Sequence, residues 1–188
     1  TMTAIGAVAL ALLLPRPTGK VILKVTGKIA NTNSPDGAEF DLAMLENLGV
    51  VEMVTRTPWT EGEVRFSGVP AERLMQAVGA DAETVDAVAL NDYRAAIPAA
   101  DFAAYGPILA TRVDGTPLRV RDKGPVWVIY PWSANPQIDN IEFHSRSIWQ
   151  VKSLVVHCGE AAGAAIMRRQ VSRGRHADLG RAVLLFVV

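Results

Sequence analysis

The sequence predicts an α+β domain with mixed β-sheets and short helices, on two main observations. First, residues 89–131 hold two hairpins and one helical turn: Asn91-Asp92 and Asp114-Gly115 each separate extended runs, and Pro98 opens the turn between them. Asp-Gly is a strong hairpin signal because glycine takes a positive φ without steric cost. Second, short strand patterns and short helix patterns alternate along the rest of the chain, which is typical of an α+β core.

Composition indicates a globular domain with its own hydrophobic core. The chain has 188 residues, of which 49% are hydrophobic and 20% charged. It carries 19 basic and 19 acidic residues, so no net field attracts nucleic acid and we expect no nucleic-acid partner. The single cysteine, Cys158, excludes an intramolecular disulfide and a cysteine-based zinc site.

The first residues indicate export. Residues 4–14 are continuously apolar, which is too short a run to cross a bilayer. That length fits the apolar region of a secretory signal peptide, and Ala9-Leu10-Ala11 has the small-x-small form of a cleavage site. We therefore expect residues 1–19 to be an export segment and the protein to be periplasmic or otherwise exported. A buried N-terminal helix or strand is the alternative.

The elements before the central stretch follow from local patterns. β-Branched residues predict strands, Asp41 is a suitable N-cap for a helix, and Pro70 suits the first turn of another. The predicted elements are a strand at 20–29, a helix at 42–48, strands at 50–55 and 64–66, and a helix at 70–78.

Strands follow at 85–90, 93–97, 108–113, 126–130 and 148–156, with a long irregular loop at 132–144. Trp127 and Trp149 fall within these strands and are predicted to be buried in the core. We expect one domain at 20–156. Residues 157–188, with a basic run and an apolar end, are expected to be a tail outside the core fold.

The order of several short motifs carries a family resemblance. In sequence they are Gly68-Val69-Pro70 before a helix, Asp92-Tyr93, Ile97-Pro98, Leu109-Ala110, Asp114-Gly115-Thr116-Pro117-Leu118, Lys123-Gly124-Pro125 and Trp149 with Lys152. This succession resembles the molybdopterin-binding domain of the sulfite oxidase-like oxidoreductases. The resemblance implies a sulfite oxidase-type molybdopterin-binding fold, with a mixed β-sheet or β-barrel-like core, and molybdopterin as the cofactor.

The sequence departs from this family at the metal ligand. The family holds its metal through one cysteine in the loop before the Gly-Val-Pro helix, and here that loop, residues 55–62, has none. Thiolate is a soft, strongly donating ligand that threonine and arginine cannot replace in kind. Lys123 stands where the family has a pterin-contacting histidine. No metal ligand and no catalytic residue is assigned on these grounds.

Six residues are nevertheless candidates for binding a cofactor or ligand: Arg56, Thr57, Trp59, Tyr93, Arg112 and Lys123. If the hairpin tip lies beside the Trp59 loop, five cationic residues form a basic rim that can bind an oxyanion or a phosphate. These residues are Arg56, Arg112, Arg119, Arg121 and Lys123. The alternative is a solvated hairpin whose cations pair with Asp114 and Asp122.

Aromatic and acidic loop residues leave further alternatives open. Trp59, Trp132 and Tyr93 either line an apolar pocket or cover the core as lids. His144 with Glu142 and Asp139 is either a metal or acid–base site or a surface cluster.

Two functions are therefore weighed. The first is an exported small-ligand-binding or sensory domain that lacks the metal-ligating cysteine, with a small anionic or heterocyclic ligand and a membrane-bound partner protein. The second is a molybdopterin-dependent oxidoreductase, or a subunit of one, acting on a small oxyanion or oxide through another metal ligand. An interaction domain that binds another protein is a third class.

Overall fold

The computed structural model describes residues 13–159, and within them the predicted α+β class is confirmed. Ten strands form two sheets, and four short helices lie between the strands. The strands of the first sheet, in spatial order, are β2 (Ala38–Asp41), β1 (Val21–Gly27), β10 (Val151–His157), β5 (Thr84–Ala89) and β6 (Arg94–Pro98). Those of the second are β3 (Val51–Thr55), β4 (Val64–Pro70), β7 (Ile108–Val113), β8 (Thr116–Pro117) and β9 (Trp127–Ile129).

The last strand, β10, completes the first sheet from its middle. It pairs parallel to β1 and antiparallel to β5, whereas the other neighbours in this sheet are antiparallel. The sheet is therefore mixed, as the sequence predicts. Because β10 lies between the two earlier hairpins, the first and last parts of the described chain share one core.

In the second sheet, β7 is the strand on which the others converge. It pairs with β4 on one side, and on the other with β8 near its end and β9 near its start, all antiparallel. β4 passes close to β7 at Gly68, where an added Cβ would lie 2.1 Å from the carbonyl oxygen of Leu109. The Gly-Val-Pro motif thus belongs to a strand longer than the predicted 64–66, and glycine is required by this close approach.

The helices are α1 (Leu42–Asn47), α2 (Ala71–Ala77), α3 (Ala100–Tyr105) and α4 (Ile141–Arg146). Asp41 caps α1 as predicted, since its carboxylate accepts a hydrogen bond from the Met44 amide at 2.8 Å. The same carboxylate accepts hydrogen bonds from the amides of Thr18 and Gly19. The Met44, Gly19 and Thr18 donors outweigh the opposing effect of burial and lower the pKa of Asp41.

Two sequence predictions are wrong. Residues 132–144 are not an irregular loop, because they contain a 3-10 helix (Pro136–Ile138) and the start of α4. The Asn140 side chain caps α4 by accepting from the amides of Glu142 and Phe143. The predicted strand 148–156 begins only at Val151, because Gln150 takes a left-handed φ of 52°. Trp149 therefore lies before the strand and is only half-buried.

The predicted export segment and C-terminal tail lie mostly outside the described residues, since residues 1–12 and 160–188 are not described. In the described part of the predicted export segment, the carbonyl of Pro15 accepts a hydrogen bond from the side-chain amide of Asn33 at 2.8 Å. None of the helices within 13–159 combines the length and the apolar character needed to cross a membrane.

Trp127 gives a test of the core. Its side chain is 2% exposed, packs edge-on against Phe66 with ring centroids 5.4 Å apart, and donates its indole N–H to the Ser147 carbonyl. We predict that Trp127→Ala lowers the free energy of unfolding by about 3–5 kcal/mol, because it leaves a large cavity. Chemical denaturation measures this.

Val54→Ala is the control, because the Val54 side chain is 52% exposed in a strand and should change stability little. Equal effects of the two substitutions would contradict the placement of β9 in the core.

Candidate functional site

An open cavity of about 460 Å³, which we call the aromatic cleft, is the candidate site. Its walls come from the β3–β4 loop, the β5–β6 turn, α4 and the residues just before β10. The lining residues are Trp59, Ala89, Asn91, Tyr93, Ile141, His144, Ser145, Ser147, Ile148 and Trp149. None of them is Lys, Arg, Asp or Glu, so the wall is mainly apolar and aromatic.

Trp59 is the centre of the aromatic wall. Its ring centroid lies 5.2 Å from that of Trp149, 6.1 Å from that of Trp127 and 6.2 Å from that of Trp132. The ring planes cross at 59–76°, so the contacts are tilted or edge-to-face, which is the favourable geometry for aromatic rings. A single loop residue thereby closes one end of the cleft against both sheets.

The backbone of the Trp59 loop is fixed by hydroxyl groups. The Trp59 amide donates to Thr57 Oγ1 at 3.1 Å, and this oxygen also lies 2.8 Å from Thr60 Oγ1. The Ser133 amide donates to Thr55 Oγ1 at 3.0 Å. The buried threonines of this loop therefore support the position of the indole.

The facing wall is formed by the β5–β6 turn and contains Tyr93. Asp92 takes a left-handed φ of 66°, and the Tyr93 amide donates to Asn91 Oδ1 at 3.2 Å. The Tyr93 side chain remains 55% exposed at the mouth of the cleft. An exposed aromatic at a cavity mouth is available to contact a bound molecule.

His144 contributes the imidazole ring of the cleft wall. Its Nε2 lies 2.7 Å from Asp139 Oδ1, and its ring packs on Trp59 and Trp132 at centroid distances of 6.1 and 5.8 Å. The sequence left this histidine open between a chemical site and a surface cluster, and the structure places it in the cleft with one carboxylate partner. Within residues 13–159, no group of three or more His, Cys, Asp or Glu residues could hold a metal ion.

A buried ion pair holds α4 in place behind His144. Arg146 Nη1 donates to Asp101 Oδ2 at 2.9 Å, and the Tyr130 hydroxyl donates to the same oxygen at 2.7 Å. Arg146 also pairs with Glu142. Burial, followed by the hydrogen bond to Asp101, raises the pKa of Tyr130 well above its usual range, so the phenol stays protonated and donates.

The predicted site residues fall into three groups. Trp59 and Tyr93 line the cleft. Thr57 supports Trp59, and the Lys123 ammonium lies 4.7 Å from the centroid of the Trp149 ring. Arg56 donates its amide to Ser133, and no cleft contact is seen for its side chain within the described residues.

The predicted basic rim is not assembled at the cleft. Arg112 forms two hydrogen bonds to the Glu46 carboxylate, at 3.0 and 3.2 Å, beside α1. Arg119 pairs with Asp122 at 2.6 Å, and Arg121 lies 4.0 Å from the same carboxylate, as the solvated-hairpin alternative predicts. A binding role for Arg112 remains a prediction, and it is one that requires a site elsewhere than the aromatic cleft.

Several lining residues were not predicted, most clearly Ile141, Ile148 and Trp149. Ile141 lies on a helix that the sequence analysis missed, and Asn140 followed by a short apolar-polar run was the signal for it. Trp149 was expected in the core, and the break at Gln150 that turns it toward the cleft has no local sequence signal.

The donor atoms of this loop do not fit a molybdenum ion. The hydroxyls of Thr55 and Thr57 are engaged in hydrogen bonds, and hydroxyl oxygen is a hard donor where the family uses a soft thiolate. The single cysteine, Cys158, is exposed and follows β10 in the sequence, so it is not part of the loop at 55–62.

Comparison with known proteins agrees with the fold. The sequence model of the family described as oxidoreductase molybdopterin-binding domain matches residues 41–136, just over half of the 188-residue chain. The crystal structure of the sulfane dehydrogenase SoxCD from Paracoccus pantotrophus is similar, with a TM-score of 0.54 and 15% sequence identity. That similarity covers 73% of this chain and 38% of the SoxCD chain. No curated protein matches the sequence.

The buried Arg146–Asp101 pair allows a test of the cleft wall. Their side chains are only 13% and 9% exposed. We predict that Arg146→Met lowers the free energy of unfolding by about 3 kcal/mol, because it leaves the Asp101 carboxylate buried without its cation. Chemical denaturation monitored by tryptophan fluorescence measures the change.

Arg112→Met is the matched control. It breaks an arginine–carboxylate pair with two hydrogen bonds whose side chains are more exposed, at 32% and 21%, so we expect a loss of about 1 kcal/mol. A smaller effect at Arg146 than at Arg112 would contradict the importance of the buried network for α4.

Proposed function

This chain belongs to the oxidoreductase molybdopterin-binding domain family, and from that premise we propose that it is an exported domain that binds or senses a small molecule without a metal. The aromatic cleft is the observation that carries the proposal. It offers a cavity of about 460 Å³, within the size range of small-molecule sites, and its wall is made of indole, phenol and imidazole rings.

The side chains of the cleft favour binding of a small molecule over coordination of a metal ion. Trp59, the central ring of the wall, lies in the loop where the family resemblance expects the metal-bearing cysteine. A bulky indole at this place provides stacking surface, whereas a thiolate provides a metal bond. A loop without a metal-ligating cysteine can therefore still contribute a surface that recognises a small molecule.

The alternative function is a molybdopterin-dependent oxidoreductase, or a subunit of one, that acts on a small oxyanion or oxide. Family membership favours it. It requires another metal ligand in place of the loop cysteine, or a ligand from a partner protein, because the loop at 55–62 offers no soft donor.

We also propose that the protein is exported from the cytoplasm. The apolar run at residues 4–14 supports export, and a sensory domain outside the cytoplasm needs a membrane-bound partner to report its ligand. Detection of the protein in a periplasmic or culture fraction, after expression from the full sequence, tests this part by itself.

Metal content separates the two functions. Protein purified from a host that makes the cofactor should contain molybdenum and tungsten far below stoichiometric amounts, because no soft donor is available in the loop. Elemental analysis measures this, with a molybdenum enzyme produced in the same host as the positive control. Stoichiometric metal would contradict the proposal and favour the oxidoreductase.

Ligand binding in the cleft is tested with a thermal-shift screen of flat heterocycles and small anions. For any compound that raises the melting temperature, we predict that Tyr93→Ala and Trp59→Phe each weaken binding by roughly tenfold, because each removes stacking surface. Tyr93 is exposed, so its removal should leave the fold intact.

Arg112→Gln is the control for the screen. It removes a cation that pairs with Glu46 away from the cleft and should leave binding unchanged. If Arg112→Gln weakens binding while both aromatic variants bind normally, the ligand site lies at the hairpin and not in the aromatic cleft.

A further inference from the structure

We infer that the aromatic cleft selects uncharged planar heteroaromatic ligands that carry an N–H or O–H at their edge, and that this group donates a hydrogen bond to Nδ1 of His144. The inference rests on the proposed function, because it names the ligand class of the same cleft. Three properties of the wall lead to it: the tautomer of His144, the shape of the aromatic surface and the pairing of nearby charges.

The partner of His144 fixes which ring nitrogen is free to accept. Asp139 Oδ1 lies 2.7 Å from Nε2, and a carboxylate can only accept, so Nε2 carries the proton. In a neutral imidazole the other nitrogen, Nδ1, is then a hydrogen-bond acceptor. The Asp139 carboxylate thus makes Nδ1 the nitrogen of the neutral His144 ring that accepts a hydrogen bond.

Nδ1 is also accessible. None of the residues from 13 to 159 forms a hydrogen bond with it, and within that range the indole nitrogen of Trp132 is the sole buried side-chain nitrogen or oxygen without a partner. Nδ1 is therefore reached by solvent, and the His144 ring lines the cleft. A ligand donor can meet this nitrogen without displacing a protein group.

The shape of the wall favours a flat molecule. Trp59 and Trp149 provide aromatic surface on one side, and the exposed Tyr93 ring lies at the mouth. A cavity of about 460 Å³ accommodates a fused two-ring system with its substituents. Planar rings gain most from such walls because stacked and edge-to-face contacts are geometrically specific.

The charges around the cleft disfavour an ionic ligand. Asp92 pairs with Lys152, Glu142 pairs with Arg146, and Asp139 binds His144, so the carboxylates near the wall already have partners. The Lys123 ammonium lies over Trp149 and repels a cation stacked on that ring. An anion would lose its hydration without finding an arginine or lysine among the lining residues, and Lys123, the cation beside them, already lies over the Trp149 ring.

The test compares indole with benzofuran by calorimetric titration of the full chain at mildly alkaline pH. The two probes share one shape, and benzofuran has an oxygen where indole has its N–H. We expect indole to bind about 3–10-fold more tightly, the effect of one hydrogen bond. In His144→Phe the two affinities should become equal.

Two further variants complete the experiment. Asp139→Ala, at an exposed side chain, should reduce the preference for indole because the His144 tautomer is no longer fixed. His157→Phe is the matched control, since His157 forms the same kind of pair with Asp86 at 3.1 Å, at the far end of β10. It should keep the full preference.

The outcomes distinguish this inference from the proposed function. Equal binding of indole and benzofuran to the unaltered protein, or a preference that survives in folded His144→Phe, overturns the inference while the cleft remains a binding site. Failure of both probes to bind overturns the inference together with its premise. A preference lost in His144→Phe and Asp139→Ala but kept in His157→Phe supports the inference.

Discussion

The contacts of the Trp59 indole are the interaction on which the rest of the site depends. Trp59 comes from a loop of the second sheet, and it packs on Trp127 of that sheet and on Trp149, which precedes the central strand of the first sheet. Each aromatic pair contributes about 0.5–1.5 kcal/mol beyond the burial of its surface. The cluster therefore joins the two sheets at the end where the cleft opens, and it sets the position of the wall that a ligand meets.

A second constraint acts from the opposite side, through the buried Asp101 carboxylate. This one oxygen accepts from both Tyr130 and Arg146, so α3, α4 and the residue that follows β9 are tied together at a single point. The six-residue helix α4 is too short to be stable alone, and its position must come from tertiary contacts. Because His144 lies on this helix, the buried ion pair determines where the imidazole faces the cleft.

These constraints explain which parts were predictable from sequence. The Asp41 cap and the Asp114-Gly115 turn were predicted correctly because their signals lie within a few residues. The sequence marked Trp59 and Tyr93 as loop aromatics that either line a pocket or cover the core, and in the structure both line the cleft. The pairing of Arg112 with Glu46, 66 residues away in the sequence, could not be predicted because no local pattern reports it, and a binding role for Arg112 remains a prediction. Trp149 was misplaced for a similar reason, since the left-handed Gln150 is held by the carbonyl of Lys123.

The fold of this domain and a metal site within it depend on different features of the sequence. The paired strands that define the family's core are present, and they depend on apolar packing and backbone hydrogen bonds that tolerate many loop sequences. A metal site depends instead on one donor atom of the right softness, so a single loop residue is enough to remove it. The loop at 55–62 has no cysteine, and its Trp59 instead packs edge-to-face against Trp149. The inferred directional contact of this cleft is the His144–Asp139 pair, which lies in a wall that is mainly apolar and aromatic.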